Sequence, residues 1–280
     1  MGVAFDDLDY VDEEIFNNIL IVDSLNLSFR YLHSGTKDFA AQLFATIDSF
    51  ANSYHADRVF VLGDWGSDYR KELYPLYKSG RVEKRKDQTK EDEENFFEFL
   101  EEYNKGLELL KTKHTVIKYK GVEADDIAAF IVKYANTDDY DHMWLLSTDA
   151  DWSLLINEKV SRFAYTTRKE FTFETFEGLV GYPLEDHLSI KVLQGDKSDS
   201  IPGIPGVGIK RAAALVKQYG TAFDILDAMP LEGKQKFIQN VNDFSDNIIL
   251  NYELMDLITY CDEAIGDNTD DLEKIMKEII

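Results

Sequence analysis

The sequence predicts an α/β fold, in which a central, mostly parallel sheet carries helices on both faces and is followed by a helical region. Short apolar runs alternate with helix-period segments up to about residue 174, a pattern typical of parallel sheets. The chain has 280 residues, 44% of them hydrophobic, enough to bury the core of one large domain or two joined ones. We therefore expect an α/β core at 1–175 and a helical region at 176–280.

The predicted strands are short apolar runs, and the segments between them have helical periodicity. After the last short strand only helical patterns remain, which places the expected boundary near residue 175. The strands are expected at 19–22, 58–64, 114–121 and 142–151, with a short pair at 161–167 and 169–173, and helices at 38–53 and 122–135.

Acidic residues gather where these predicted strands end. Ligands of open parallel sheets bind in the crevice at the carboxyl ends of the strands, so acids placed there face a common space. A single aspartate in such a position is usually a turn or helix-cap residue, but four acidic groups at one edge are harder to explain as caps. The acids are Asp23, Asp64, Asp149 and Asp151 at strand ends, and Glu123, Asp125 and Asp126 at the start of the helix after the third strand.

The stretch 191–220 combines a further acid pair with a glycine-rich turn. Asp196 and Asp199 stand three residues apart at the end of an apolar run, where both can face one point. The sequence IPGIPGVGIKR then leads into a predicted helix that begins at Ile209. Backbone N–H groups of such a turn and the helix dipole favour a bound phosphate. The candidate phosphate contacts are Gly206 and Gly208 in the turn and Lys210, Arg211 and Lys217 on the helix.

Clustered carboxylates beside a phosphate-binding turn predict a metal site that works on a nucleic-acid backbone. Two divalent ions roughly 4 Å apart can activate a water and stabilise charge on the leaving oxygen. Mg²⁺ and Mn²⁺ prefer oxygen ligands, so two Mg²⁺, with Mn²⁺ able to substitute, are the expected cofactors. The five histidines are scattered, and the single cysteine, Cys261, is too few for a cysteine zinc site and is expected to be an ordinary helix residue.

A long segment between Leu73 and His114 begins with basic and aromatic residues and continues as a charged helix. Lys78 and Arg81 are either solvated charges at a helix start or cations that reach the scissile phosphate. Tyr77, just before them, offers a ring on which a base could stack. The charge of this segment and its lack of obvious packing partners favour a mobile element.

The net charge of −23, taken globally, argues against nucleic-acid binding, because proteins that bind the phosphate backbone usually have a basic surface. The charge is unevenly distributed, however: acids crowd 6–14, 91–102 and 262–273, whereas 78–90 and 205–217 are basic or mixed. The sequence contains neither an apolar run of about 18 residues nor a signal segment. We expect a cytoplasmic monomer without a membrane partner.

These motifs make the chain similar to the 5′-nuclease (flap endonuclease) superfamily, most of all to the free-standing flap endonucleases of phages of the T-five type. The resemblance covers nearly the whole chain and rests on VLGD, YKSGR, GVEADD, STDADW and GDKSDSIPGIPGVGIKRA. The last two also resemble the 5′-nuclease domain of bacterial DNA polymerases. The resemblance implies a PIN-like core, cleavage of DNA at 5′ flaps and 5′ ends in primer or flap removal during replication, and, for a phage protein, the host-cell cytoplasm.

The resemblance also implies roles for individual residues. The four acids at the strand ends and the three at the helix start join Asp196 and Asp199 in a two-metal cluster, with Asp23 and Asp64 acting partly through water. Lys78 and Arg81 match the basic pair at the base of a helical arch, about 78–114, through or under which a 5′ single strand passes. Residues of about 191–220 match a helix–three-turn–helix, which in many relatives binds K⁺. The expected DNA-contacting cations are Lys191, Lys210, Arg211, Lys217 and Lys234, with Lys84 and Arg85 on the arch.

The sequence departs from the family at two points. Ser200 stands where asparagine is common, and the second half of the arch, EDEENFFEFLEE, is unusually acidic, which should weaken electrostatic capture of a single strand.

Three alternatives remain. A PIN-type ribonuclease would lack the long arch and the hairpin, and a catalytically inactive protein that binds branched DNA would be expected to have lost several of the acids. In an acidic α/β protein with all its carboxylates on the surface, the likeness of the hairpin would be accidental.

Overall fold

The computed structural model describes residues 16–86 and 88–280, and the side chains of residues 82 and 84–86 lie outside this description, as does the acidic stretch 6–14. Its centre is a six-stranded sheet in the order β3-β2-β1-β4-β5-β6. The first five strands are parallel, and β6 runs antiparallel to β5. The predicted mostly parallel sheet is confirmed. The strands are β1 (Asn18–Asp23), β2 (Ala56–Leu62), β3 (Thr115–Ile117), β4 (Met143–Leu146), β5 (Val160–Ala164) and β6 (Lys169–Phe171).

Helices cover both faces of this sheet, because β1 and β2 are apolar on both sides. Alternate residues of a strand point to opposite faces. Ile19 and Ile21 therefore pack on one side against α6, whereas Leu20 and Val22 pack on the other against α1, α2 and α5. The helices of this part of the chain are α1 (Ser24–Ser34), α2 (Ala40–Ser53), α3 (Asp68–Leu73), α4 (Ser79–Lys86), α5 (Lys90–Leu110) and α6 (Ala124–Tyr134).

The predicted arch corresponds to α4 and α5. Thr89 and Asp92 begin α5 with a capping box, in which each side chain accepts a hydrogen bond from the backbone of the other. The expectation that this segment lacks packing partners is wrong for its second half: Phe99, Tyr103 and Leu107 are buried against α1 and α2. Their spacing places them on one face of the helix, which anchors α5 to the core.

The chain after the sheet is helical. Most of these helices surround a second apolar core, but α13 and α14 return to the sheet and pack beside α6, with Cys261 buried on α13. The expected boundary near residue 175 stays a prediction. None of the described helices is long and apolar enough to cross a membrane. The helices are α7 (Phe176–Val180), α8 (His187–Gln194), α9 (Ile209–Tyr219), α10 (Ala222–Asp227), α11 (Lys236–Asn242), α12 (Ser245–Met255), α13 (Leu257–Ile265) and α14 (Thr269–Ile279).

Candidate active site

Several predicted acids hold the backbone at the carboxyl edge of the sheet. Asp23 caps α1 by accepting the N–H of Asn26 at 3.2 Å, and its other oxygen accepts the Ser147 hydroxyl at 2.9 Å. Asp64 accepts the N–H of Gly66 at 2.8 Å. Asp149 accepts the N–H of Asp151 at 2.9 Å, which starts a 3₁₀ turn after β4. These aspartates are therefore turn and cap residues as well as members of a cluster.

Loss of contact with water and repulsion from neighbouring carboxylates raise the pKa of several acids in this cluster. Burial, opposed by hydrogen bonds from Asn26 and Ser147 and reinforced by the charges of Asp149 and Asp64, raises the pKa of Asp23 to about 7. Burial and the charges of Asp149 and Glu123 raise the pKa of Asp125 well above its ordinary value. Carboxylates that repel one another in this way provide an all-oxygen donor set whose repulsion a divalent cation would relieve.

The pKa values of three other acids in the cluster are raised as well. Burial and the charge of Glu123 raise the pKa of Asp64, and burial and the charge of Asp151 raise that of Asp149. Burial also raises the pKa of Asp199, although Lys78 and Arg81 oppose the shift.

Asp196 behaves differently from these acids. Burial raises its pKa, but hydrogen bonds from Ser198 and the charge of Lys191 outweigh burial, and the net shift is downward.

Lys78 and Arg81, which form the base of the predicted arch, lie within the acid cluster. The Nζ atom of Lys78 lies 2.5 Å from a Glu123 oxygen and 3.8 Å from an Asp199 oxygen, and Arg81 donates to Asp199 at 2.7 Å. Burial raises the pKa of Glu123, but the charges of Lys78 and Arg70 outweigh it and lower the pKa. The structure thus places Lys78 and Arg81 beside the acids, as expected of cations that could reach a bound phosphate.

Lys191 was expected to contact duplex DNA but lies inside the acid cluster. Its side chain is 13% exposed and forms ion pairs with Asp151 and, at 3.5 Å, with Asp196. It stands on α8 one turn before the acid pair, and this face of α8 turns toward the sheet edge. In this structure Lys191 therefore does not lie on an exposed surface, and its contact with duplex DNA stays a prediction.

Tyr77 and Asp126 also differ from their expected placement. The Tyr77 ring is 5% exposed, and its hydroxyl donates to Glu123 at 2.9 Å and to Asp199 at 3.1 Å, so it holds two acids and offers no open face to a base. Asp126 is fully buried, and Arg70 donates to both of its oxygens at 2.7 Å. With both oxygens occupied by the guanidinium, Asp126 does not face the other acids.

Two residues that contact the predicted acids were not predicted from the sequence. Trp152 is fully buried, and its indole Nε1 donates to Asp125 at 2.5 Å. The signal for it was present, because Trp152 follows directly after Asp151. Arg70, which holds Asp126 and lies 3.5 Å from Glu123, stands on the six-residue helix α3, where no pattern marked it.

The arch base and the acid pair 196–199 are joined by backbone contacts. The N–H of Lys78 donates to the Asp199 carbonyl at 2.8 Å, and the N–H of Gly80 donates to the Ser200 hydroxyl at 3.0 Å. Lys78 and Ser200 both have positive φ angles, 56° and 62°, a region that non-glycine residues seldom adopt. The geometry of the cluster is therefore set jointly by the arch base and this loop.

The predicted glycine turn is present, and Gly203 shows why it needs glycine. A Cβ atom on Gly203 would lie 1.7 Å from the carbonyl oxygen of Gln194, so no other residue fits. Gly208 directly precedes α9, and Arg211 folds back to donate to the Gly206 carbonyl at 2.5 Å. A groove of about 1030 Å³ is lined both by this turn and by Asp149 and Asp151.

The remaining predicted DNA-contacting cations are dispersed on the surface. Lys210 and Lys217 are exposed on α9, and Lys234 is exposed before α11. The side chains of Lys84 and Arg85, on α4, lie outside the description.

Among residues 16–86 and 88–280, no three His, Cys, Asp or Glu side chains converge tightly enough to enclose a metal ion as they stand. The ion pairs explain this arrangement, since Glu123, Asp151 and Asp199 turn toward Lys78, Lys191 and Arg81. The donor set still suits a hard divalent cation, because its members are carboxylates that repel one another.

Comparison with known proteins places the chain in a family. The model of the 5′-3′ exonuclease N-terminal resolvase-like domain matches residues 18–178, and that of the 5′-3′ exonuclease C-terminal SAM fold matches residues 183–277. The flap endonuclease of Escherichia phage T5 is 43% identical over 94% of this chain and 91% of its own length. DNA polymerase I of Bacillus subtilis is 31% identical over 49% of this chain and 16% of its own length.

The solved structures agree with these matches. The bacteriophage T5 flap endonuclease, in a pseudo-enzyme–product complex with DNA and metal ions, superposes with a TM-score of 0.89 at 42% identity, covering 94% of this chain and 98% of that one. The catalytic core of Rad2 in complex with DNA, at 13% identity and a TM-score of 0.51, shares the fold. The chain belongs to the 5′-3′ exonuclease family.

Proposed function

We propose that the protein is a structure-specific 5′ nuclease that hydrolyses phosphodiesters at single-strand/duplex junctions of DNA, using two Mg²⁺ ions for which Mn²⁺ can substitute. The observation that carries the proposal is the cluster of buried and half-buried carboxylates with raised pKa values, with which Lys78 and Arg81 form ion pairs. A 42% identical structure holds DNA and metal ions, which supports the same chemistry here. Its proposed role is the removal of primers or displaced 5′ strands in replication.

The proposed metal ligands are the acids that face the common space. When bound, the two ions would activate a water and stabilise charge on the attacking and leaving oxygens. We assign Asp126 to holding Arg70, and Tyr77 to orienting Glu123 and Asp199. The ligands are Asp23, Asp64, Glu123, Asp125, Asp149, Asp151, Asp196 and Asp199.

Lys78 and Arg81 are proposed to contact the scissile phosphate. Both form ion pairs with carboxylates of the cluster, and this position next to the proposed metal ligands supports the assignment. A cation held there stabilises the charge that develops on the phosphate oxygens in the transition state. Lys191 neutralises Asp151 and Asp196 and is proposed to act within the same site.

The C-terminal region, 176–280, is proposed to hold duplex DNA, and the core 1–175 with the arch 78–114 to hold the single strand. The turn at Gly206 and Gly208 and the exposed lysines of α9 would meet the phosphate backbone. K⁺ is a candidate ligand of the turn carbonyls, where it would replace the Arg211 guanidinium at Gly206. Backbone contacts carry no base sequence, so selection would follow DNA shape. One chain carries both proposed DNA-binding parts, so we propose that the protein acts as a monomer.

The test is cleavage of a 5′-end-labelled duplex with a 5′ flap in Mg²⁺, beside the matching 3′-flap duplex and an EDTA control. We expect cutting near the junction of the 5′ flap only, and none in EDTA. Binding without cutting in either Mg²⁺ or Mn²⁺ would indicate a catalytically inactive protein that binds branched DNA. Preferential cutting of an RNA strand without regard to the flap would instead indicate a ribonuclease.

A further inference from the structure

An exposed tryptophan, Trp65, adjoins the acid cluster. Trp65 directly follows Asp64 and is 58% exposed. Its backbone N–H donates at 3.2 Å to the carbonyl of Val122, the residue before Glu123. The backbone of Trp65 is thus fixed between two elements that carry acids of the cluster. The exposed ring of Trp65 therefore lies beside the acid cluster.

The ring of Trp65 is supported from one side by a lysine. The Nζ atom of Lys118 lies 5.3 Å from the centroid of the Trp65 ring and 5.3 Å from that of Tyr103 on α5. A Cβ atom on Gly63 would lie 2.8 Å from the Lys118 side chain, so glycine at this position leaves the lysine stem its space. The side chains of Trp65, Lys118 and Tyr103 form an aromatic–cation–aromatic stack, which we call the Trp65 platform.

We propose that the Trp65 platform receives one unpaired nucleobase of the DNA strand whose phosphate reaches the acid cluster. This inference rests on the proposed function. Every base has a π-face, and stacking on an aromatic side chain is tolerant of sequence, as a structure-selective nuclease requires. Bases inside a duplex already stack on their neighbours, so the occupant is a nucleotide of the single-stranded flap close to the junction.

The surroundings favour a nucleotide as the occupant over a protein side chain. The platform borders Asp64, one of the acids that would hold the reacting phosphate, so a base on Trp65 and a phosphate at the cluster can belong to neighbouring nucleotides. Lys118 adds a positive charge beside the ring. Burial lowers the pKa of Lys118, and the charge of Asp64 opposes this shift.

The experiment combines protein variants with abasic DNA. Flap duplexes carry a normal or an abasic nucleotide at each of the first positions of the flap, and binding is measured by fluorescence anisotropy in EDTA, where no cleavage occurs. Trp65→Ala tests the ring, and Trp65→Phe tests rescue by a smaller ring. Tyr134→Ala is the matched control, since Tyr134 is a half-exposed aromatic residue at the far end of α6, away from the acids.

We expect Trp65→Ala to weaken binding of the normal flap about 5- to 150-fold, the range for loss of one stacked base. The loss should shrink for Trp65→Phe, vanish when one particular flap nucleotide is abasic, and be absent for duplex without a flap. Tyr134→Ala should bind like the wild type. No loss in Trp65→Ala, or an equal loss for every abasic position and for plain duplex, would overturn the proposal.

A second readout uses the wild-type protein and does not depend on the folding of a variant. Of the three tryptophans, Trp152 is fully buried and Trp144 is half-buried beside Tyr54, whereas Trp65 is exposed, so base stacking should quench mainly the fluorescence of Trp65. Quenching that disappears with the same abasic position supports the platform, and quenching that is indifferent to all of them contradicts it. If the wild type fails to bind the flap at all, the proposed function fails, which is a different result.

Discussion

The Nζ atom of Lys78 lies 2.5 Å from Oε1 of Glu123, so the base of the arch is tied to the start of α6. The N–H of the same lysine donates to the carbonyl of Asp199, which adds the loop before the glycine turn to this junction. Burial lowers the pKa of Lys78, but the charges of Glu123 and Asp199 outweigh burial and raise it. The lysine is therefore held in its charged form among the acids.

Replacing Lys78 should slow the chemical step. Lys78→Ala removes a cation from the place where phosphate charge develops, and the loss of one such contact typically costs about 10²- to 10³-fold in rate. Single-turnover cleavage of the 5′ flap measures this directly, because it separates chemistry from binding. Lys133→Ala, at the far end of α6, is the matched control. A wild-type rate in Lys78→Ala would remove this residue from the site.

Removing the charge of Asp125 and removing the charge of Asp126, both on α6, should change the stability of the protein in opposite directions. The folded pKa of Asp125 lies well above the ordinary 3.8, so the folded state binds this proton more tightly than the unfolded state does. The stability that Asp125 contributes is therefore present at low pH and is lost as the pH rises above 3.8. At pH 8 in EDTA, Asp125→Asn should stabilise the protein. Asp126→Asn removes the nearer of the two carboxylates that pair with buried Arg70 and should destabilise the protein by about 3–5 kcal/mol.

Urea unfolding of the two variants in EDTA, at pH 8 and again at pH 5, measures both effects. The gain from Asp125→Asn should be smaller at pH 5 than at pH 8, because the raised pKa of Asp125 leaves more of the wild-type carboxyl protonated at the lower pH. If both variants were stabilised, Asp126 would belong with the repelling acids, and our assignment of it to Arg70 would be wrong.

Ser200 should matter for the order of the arch base. Ser200→Ala removes the hydroxyl that accepts the N–H of Gly80, a hydrogen bond worth about 1 kcal/mol. We expect faster amide hydrogen exchange within α4, whereas Ser53→Ala, at the end of α2, should leave α4 unchanged. Equal protection of α4 in Ser200→Ala and the wild type would show that this hydrogen bond does not hold the arch base.

Lys210 should act on affinity rather than on rate. It is exposed at the start of α9, beside the glycine turn, and Lys210→Ala should weaken duplex binding equally for all sequences. The slope of log K against log salt should fall by about 1, as expected for one lost phosphate contact. Anisotropy titrations at several salt concentrations measure the slope, with Lys277→Ala on α14 as the control. An unchanged slope would mean that the turn is not the duplex anchor.

The parts of the site that follow from local pattern could be predicted from the sequence. Asp23, Asp64 and Asp149 each come after an apolar run, and the carboxyl ends of parallel strands share one edge, so their proximity follows from topology. The glycine turn is likewise local, because Gly203 is required by a clash with Gln194, only nine residues away.

The parts that depend on distant packing could not be predicted. The buried position of Tyr77 could not be predicted, because the acids that its hydroxyl contacts, Glu123 and Asp199, lie 46 and 122 residues further along the chain. The pairing of Arg70 with Asp126 spans 56 residues, and neither residue has a spacing that reveals it.

The most direct test of the central claim compares the wild type with Asp149→Asn on the same 5′-flap duplex, measuring cleavage in Mg²⁺ and binding in EDTA. Asparagine keeps the oxygen that accepts the N–H of Asp151 but lacks the charge of a metal ligand. We expect binding close to that of the wild type and no detectable cleavage. Cleavage at the wild-type rate would show that the acid cluster at the sheet edge is not where the phosphodiester is hydrolysed.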